Sequence, residues 1–153
     1  MASATQVAIY VLDRLGSVST MKLQKLVFYS QALSLVKRGS PLFSERIEAW
    51  ANGPVVPELF NAHRGKFVIS RGFLGSPDDL ALLPWETEVI DHVVDRLGAM
   101  TGAALSELTH GEEPWQAARR GCAAAAPSYN EIAQQSIRAF YGSPRCSNLA
   151  FAS

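Results

Sequence analysis

Apolar positions recur at helical spacing from the first residues on. Val7, Val11 and Leu15 fall at i, i+4 and i+8 with Ala8 and Leu12 beside them, which predicts a helix over 5–15. Gly16 closes it, and Ser17, Ser19 and Thr20 offer N-cap hydroxyls for a second helix that runs to Arg38 and stops at Gly39-Ser40-Pro41. In this second helix Leu23, Leu26, Val27 and Leu33 mark one face while Met21, Phe28, Leu35 and Val36 lie on others. Apolar side chains nearly encircle it, the mark of a central helix packed on several sides. "ERIEAW" (45–50) partly alternates and predicts a short strand. Asn52-Gly53-Pro54 signals a turn, and Pro57 opens a short helix to about Arg64. "KFVIS" (66–70) is the expected ribbon partner of 45–50, and "RGFLGSPDD" reads as loop.

Pro84 starts a further helix with Val89, Ile90, Val93, Val94 and Leu97 as its buried stripe. Thr101 caps a shorter one ending near His110, and Pro114 opens another. Ser128-x-x-Glu131 has capping-box spacing and is expected to start the last helix, with Ile132, Ile137 and Phe140 inside. From Gly142 on, small and polar residues predict a flexible tail over 142–153. The expected architecture is mainly α: a compact helical domain over 1–141 around a central buried helix, with one small two-stranded ribbon.

Composition narrows the function. Of 153 residues, 48% are apolar and 18% charged, with 14 basic and 14 acidic side chains in balance. A strong electrostatic pull toward nucleic acid or anionic lipid is not expected. The low charge content hints at surface reserved for a partner. Basic residues concentrate in 1–71 and acidic ones in 72–153. The sharpest acidic run is Asp78, Asp79, Glu86, Glu88, Asp91 and Asp95, either a solvated helix face or a docking face for a basic partner. Cys122 and Cys146 form no C-x-x-C and are expected as free thiols in the cytoplasm. No signal peptide is visible, and no apolar run approaches the roughly 20 residues a membrane helix needs.

Each candidate chemistry meets an obstacle. Ser19-Thr-Met-Lys22 has the Ser-x-x-Lys spacing of serine β-lactamases, but neither S-D-N nor K-T-G accompanies it. His110-Gly-Glu112 has the H-x-E of zinc deaminases without the required P-C-x-x-C. His63, His92 and His110 stand apart, so neither metal nor cofactor is expected. Helix, glycine turn, helix over 7–31 is how a helix-turn-helix begins, and Lys22, Lys25, Lys37 and Arg38 decorate the second helix. A recognition helix must keep one face free, though, and this one is apolar nearly all round. A DNA-binding regulator, autoregulating its operon, is the alternative reading.

Three segments carry a resemblance: "MKLQKLVFYSQ" (21–31), "IEAWANGPVVPELFNAHRG" (47–65) and "LSELTHGEEPWQAAR" (105–119). Together, in this order, they resemble the Panacea domain of SocA-like and GepA-like proteins, over about residues 5–141. The match runs through Lys22, Gln24, Lys25 and Tyr29, then Glu48, Trp50, Gly53, Pro54, Val55 and Val56, then Thr109, His110, Pro114 and Trp115. Val27-Phe28 departs from the more usual Leu-Tyr, and an aromatic is missing before Gly98. The resemblance implies a non-enzymatic antitoxin, often prophage-associated. Its partner would be a cognate toxin encoded next to it, neutralised by blocking, by sequestration or by delivery to a cellular protease.

From the residues themselves, the lysines of the second helix are expected on its rim, and Trp50 and Trp115 in the core. Tyr29, Glu48 and His110 are polar within apolar motifs and must be hydrogen-bonded if buried. They are expected to form one cluster holding the "NGPVVP" turn against the central helix. That turn either packs on the core or presents its two valines to the partner.

Overall fold

The computed structural model describes residues 1–152. Helix α1 (Ala4–Leu15) opens with a reciprocal cap in which Ser3 Oγ accepts from the Gln6 N–H and the Gln6 side chain from the Ser3 N–H. Gly16 ends it at φ +83°, a conformation only glycine takes cheaply. Strand β1 (Ser17–Ser19) follows, and Ser19 Oγ then caps α2 (Thr20–Arg38) by accepting from the Lys22 N–H at 3.1 Å.

Every residue of α2 from Leu23 to Leu35 is buried. Helices α1, α4 (Pro84–Leu97), α5 (Gly102–His110) and α7 (Gln134–Tyr141) all pack on it, so the expected central helix is present. Its polar side chains are turned to use. Gln31 accepts from the Leu42 and Phe43 N–H groups and donates to the Phe43 carbonyl, pinning the loop after α2. Ser34 donates to the Ser40 carbonyl. A buried amide whose oxygen and nitrogen are both bonded to one loop fixes the path of that loop.

The strands pair differently from expectation. Strand β2 (Glu48–Trp50) pairs antiparallel with β3 (Gly53–Val55) across Ala51-Asn52, while β4 (Val68–Ser70) pairs with β1. There are thus two ribbons instead of one, and "KFVIS" belongs to the other. The two-residue turn brings β3 back onto β2 at once, which leaves 66–70 free to cover the entry into α2. Helix α3 (Pro57–His63) starts at Pro57 as expected, and α6 (Glu113–Ala118) carries Pro114 in its first turn.

Two C-terminal expectations are corrected. Ser128-x-x-Glu131 does not start α7: Ser128 Oγ accepts from the Asn130 N–H, and the helix begins at Gln134. Residues 130–132 instead extend the β2 edge, with Ala49 N–H donating to the Asn130 carbonyl and Ile132 N–H to that of Ile47. A free strand edge outcompetes a helix cap for those amides. Of the segment 142–153, expected to fray, residues 148–151 pack back onto the core, while 153 lies outside the described residues. Asn148 and Ala150 are buried, and Phe151 stacks on Tyr141 with centroids 4.7 Å apart.

The acidic run is not a bare face either. Glu86 is buried, accepting from the Ala2 and Leu83 N–H groups, and Arg14 bridges Asp91 and Asp95 at 2.8 and 2.9 Å. No helix among the described residues is long and apolar enough to cross a membrane.

Candidate functional site

The three motif segments meet around the hairpin 48–56. Gln24 on α2 reads the backbone of Val56: its Oε1 accepts from the Val56 N–H (2.9 Å) and its Nε2 donates to the Val56 carbonyl (3.4 Å). With the amide so oriented, its Nε2, 3.0 Å from His63 Nε2, makes that ring nitrogen an acceptor and the imidazole neutral. Burial pushes the His63 pKa down, in the same sense. Ser106 of α5 donates to the Asn52 carbonyl (2.5 Å) and Trp115 Nε1 to that of Trp50 (2.8 Å). The Arg119 guanidinium donates to the Ala49 carbonyl and reaches across to those of Ala123 and Ala126. Side chains of the first and third motifs thus hold main-chain groups of the second.

Lys25 corrects the rim expectation. It is fully buried, and its Nζ donates to the Pro54 carbonyl at 3.1 Å. Burial lowers its pKa from 10.5 to about 7. Gly53 sits at φ +118°, and a Cβ there would lie 2.6 Å from Lys25 Cε and 2.8 Å from Thr109 Oγ1. Glycine is required at this turn for both reasons. Charge type suggested a rim position for Lys25, but Leu23 and Leu26 on either side commit the helix to burial on all faces. The valines of the turn are likewise inside, Val55 and Val56 both buried, so the turn packs on the core.

Over Gln24 and Lys25 opens a cleft of about 750 Å³. Met21, Trp50, Val55, Phe60, Phe67 and Tyr129 give it apolar walls. Trp50 meets Phe60 edge-on at 4.9 Å and Tyr129 at 6.2 Å. Phe67 is 82% and Tyr129 68% exposed at its rim. Glu48, the one carboxylate of the lining, is occupied: it accepts from Trp50 Nε1 and from Arg46, each at 2.9 Å. His63, Phe60, Phe67, Tyr129 and Arg119 were not singled out from the sequence. Phe67 and Tyr129 are too far apart along the chain for any periodicity to join them.

The expected cluster of Tyr29, Glu48 and His110 does not exist; the three lie in different places. Tyr29 donates to Glu112 Oε1 (2.6 Å), which Tyr141 shares (2.6 Å), while Asn148 donates to Oε2 (3.0 Å). Burial raises the Glu112 pKa against the pull of these three donors, and raises both tyrosines. This second cluster lies under the C-terminal segment. His110 stacks on Trp115 with centroids 4.0 Å apart, and its Nε2 has no hydrogen-bond partner. Pro114 is buried, and Trp50 and Trp115, expected in the core, are only partly buried.

The discarded chemistries find no geometry. Ser19 Oγ is spent on the α2 cap, and Lys22 Nζ donates to the Gly98 carbonyl at 2.5 Å, so the two do not form a nucleophile–base pair. Helix α2 offers no free face to a DNA groove. Among the described residues no three His, Cys, Asp or Glu side chains lie close enough to hold a metal ion.

The family described as "Antitoxin SocA-like, Panacea domain" matches residues 23–116. These residues include α2 from Leu23 on, the whole hairpin and the first turn of α6. The antitoxin SocA of Caulobacter vibrioides (strain NA1000 / CB15N) is 29% identical over 133 residues, covering 77% of this chain and 71% of that protein. No solved structure matches the chain.

Proposed function

The chain belongs to the SocA-like Panacea-domain antitoxin family, and from that premise we propose that it neutralises a neighbour-encoded toxin by direct protein–protein binding in the cytoplasm, without catalysis. The observation that carries this reading is the cleft over Gln24 and Lys25. Its floor and much of its walls come from the family's own motif residues, and its rim exposes Phe67 and Tyr129 to solvent. Exposed aromatics around an apolar hollow are the anatomy of a recognition surface. The hairpin that forms one wall is clamped through its main chain, so the surface is held ready before a partner arrives. That lowers the ordering cost of binding.

The test is a growth assay. The adjacent open reading frame is expressed alone, then together with this protein, and the protein is affinity-purified from surviving cells. Relief of toxicity with a stable one-to-one or higher complex is the expected result. Relief without a complex would replace direct binding by repression or by hand-over to a protease. A harmless neighbour would remove the antitoxin reading.

A further inference from the structure

Lys25 is an uneconomical way to fill space. A methionine would occupy nearly the same volume without a desolvated amine. As an ammonium, Lys25 has three N–H donors, and the structure gives it one acceptor, the Pro54 carbonyl. No carboxylate forms an ion pair with it among the described residues. The titratable groups turned toward it are His63 of α3 and His110 of α5, and its charge disfavours protonation of both. A buried ammonium in a folded protein is normally paired with an opposite charge, and no such partner stands beside Lys25 among the described residues.

The cleft supplies the route by which one arrives. Lys25 lies in its floor, and among the described residues Arg64 on the rim donates to Asn61 and forms no ion pair. Glu48 is already bound to Arg46 and Trp50, so the lining carries uncompensated positive charge on an apolar, aromatic background. We propose that this cleft receives a segment of the toxin that presents an aromatic or branched apolar side chain to Trp50, Phe60 and Phe67 and a carboxylate to the Lys25 amine. The identity of the bearer as a toxin rests on the antitoxin reading; the chemistry of the site does not. In the free protein the amine titrates near neutrality. When the carboxylate arrives the amine is held charged, so docking takes up a proton above neutral pH and weakens as pH rises.

The experiment uses random-sequence peptides displayed on phage, selected against the folded protein and counter-selected against Lys25→Met. Enriched peptides are expected to carry an aromatic residue with Asp or Glu close by. Each should lose affinity roughly tenfold or more on Lys25→Met, or when its acid is changed to the amide, the scale of one charge-assisted hydrogen bond. Nitrogen NMR of the wild-type Lys25 amine needs no variant and reads the same event: the amine should be charged in the complex at a pH where it is neutral when free. Enrichment of peptides without an acid, binding that survives Lys25→Met, an amine unchanged by the peptide, or no enrichment at all would each overturn the proposal. No toxin enters this selection, so its failure leaves the growth assay standing. Acidic peptides selected beside a harmless neighbour would instead keep the site and remove the antitoxin reading.

Discussion

Replacing Lys25 by methionine should make this protein more stable, with a pH dependence that identifies the cause. The folded pKa lies near 7 and the ordinary value is 10.5. Between these values the unfolded chain holds a proton that the folded chain has lost, so wild-type stability rises with pH across that window. At pH 7 and below, the desolvated amine costs on the order of 4 kcal/mol. Against this stands the bond from Nζ to the Pro54 carbonyl, worth about 1–2 kcal/mol when its acceptor is left buried and alone. The expected net gain is roughly 2–3 kcal/mol near neutrality, or about 5–10 °C in melting temperature for a chain of this size. Toward pH 10.5 the gain should vanish and then reverse, because the unfolded chain is there losing its own proton and the remaining desolvation cost falls below the worth of the lost bond. Urea denaturation of both proteins across pH 6 to 10.5 measures the difference directly. A variant less stable than wild type at pH 6, or a difference that does not change with pH, would refute a desolvated Lys25.

Gln24→Ala strips the Val56 amide, the Val56 carbonyl and His63 of their common partner; a loss of about 3 kcal/mol is expected from urea unfolding. Gly53→Ala forces a Cβ onto Lys25 and Thr109 at positive φ and should cost at least about 2 kcal/mol by the same measurement. Glu112 has a folded pKa above its ordinary 4.5, so its stabilising contribution is present at acid pH and lost as pH rises through the folded value. Glu112→Gln removes that titration, and its unfolding midpoints between pH 4 and 7 should vary less than those of wild type.

Most helices were readable because their ends carry chemistry of their own. Ser19 and Thr101 are caps in the structure, and Gly16 and Gly39 close α1 and α2 with positive φ. The burial of α2 was readable from apolar residues on every side. What failed were inferences from residue type. Lys25 was placed outside because it is a lysine, although the helix around it has no outside. Ser128 and Glu131 have capping-box spacing, yet the β2 edge offered their neighbours better partners. Three-residue strands carry too little pattern to name their partners, so 66–70 was joined to the wrong ribbon. The segment after Gly142 looks like a tail by composition, but Asn148 finds Glu112 and Phe151 finds Tyr141, contacts that no local pattern announces. The cleft itself was illegible: motif residues pointed to its floor, while Phe67 and Tyr129 join it only through the fold.

The floor of the cleft and the middle of the protein are one helix. Every side chain of α2 from Leu23 to Leu35 is buried, so changes of size or polarity there are transmitted to the elements packed around it. Lineages that acquire a new partner therefore have little freedom at Gln24 or Lys25. Their latitude lies at Arg64, Phe67 and Tyr129, which are exposed at the rim. A deep mutational scan scored for survival beside different toxins should accordingly separate into two tiers: a tier at α2 where any partner is lost together, and a tier at the rim where one partner is traded for another.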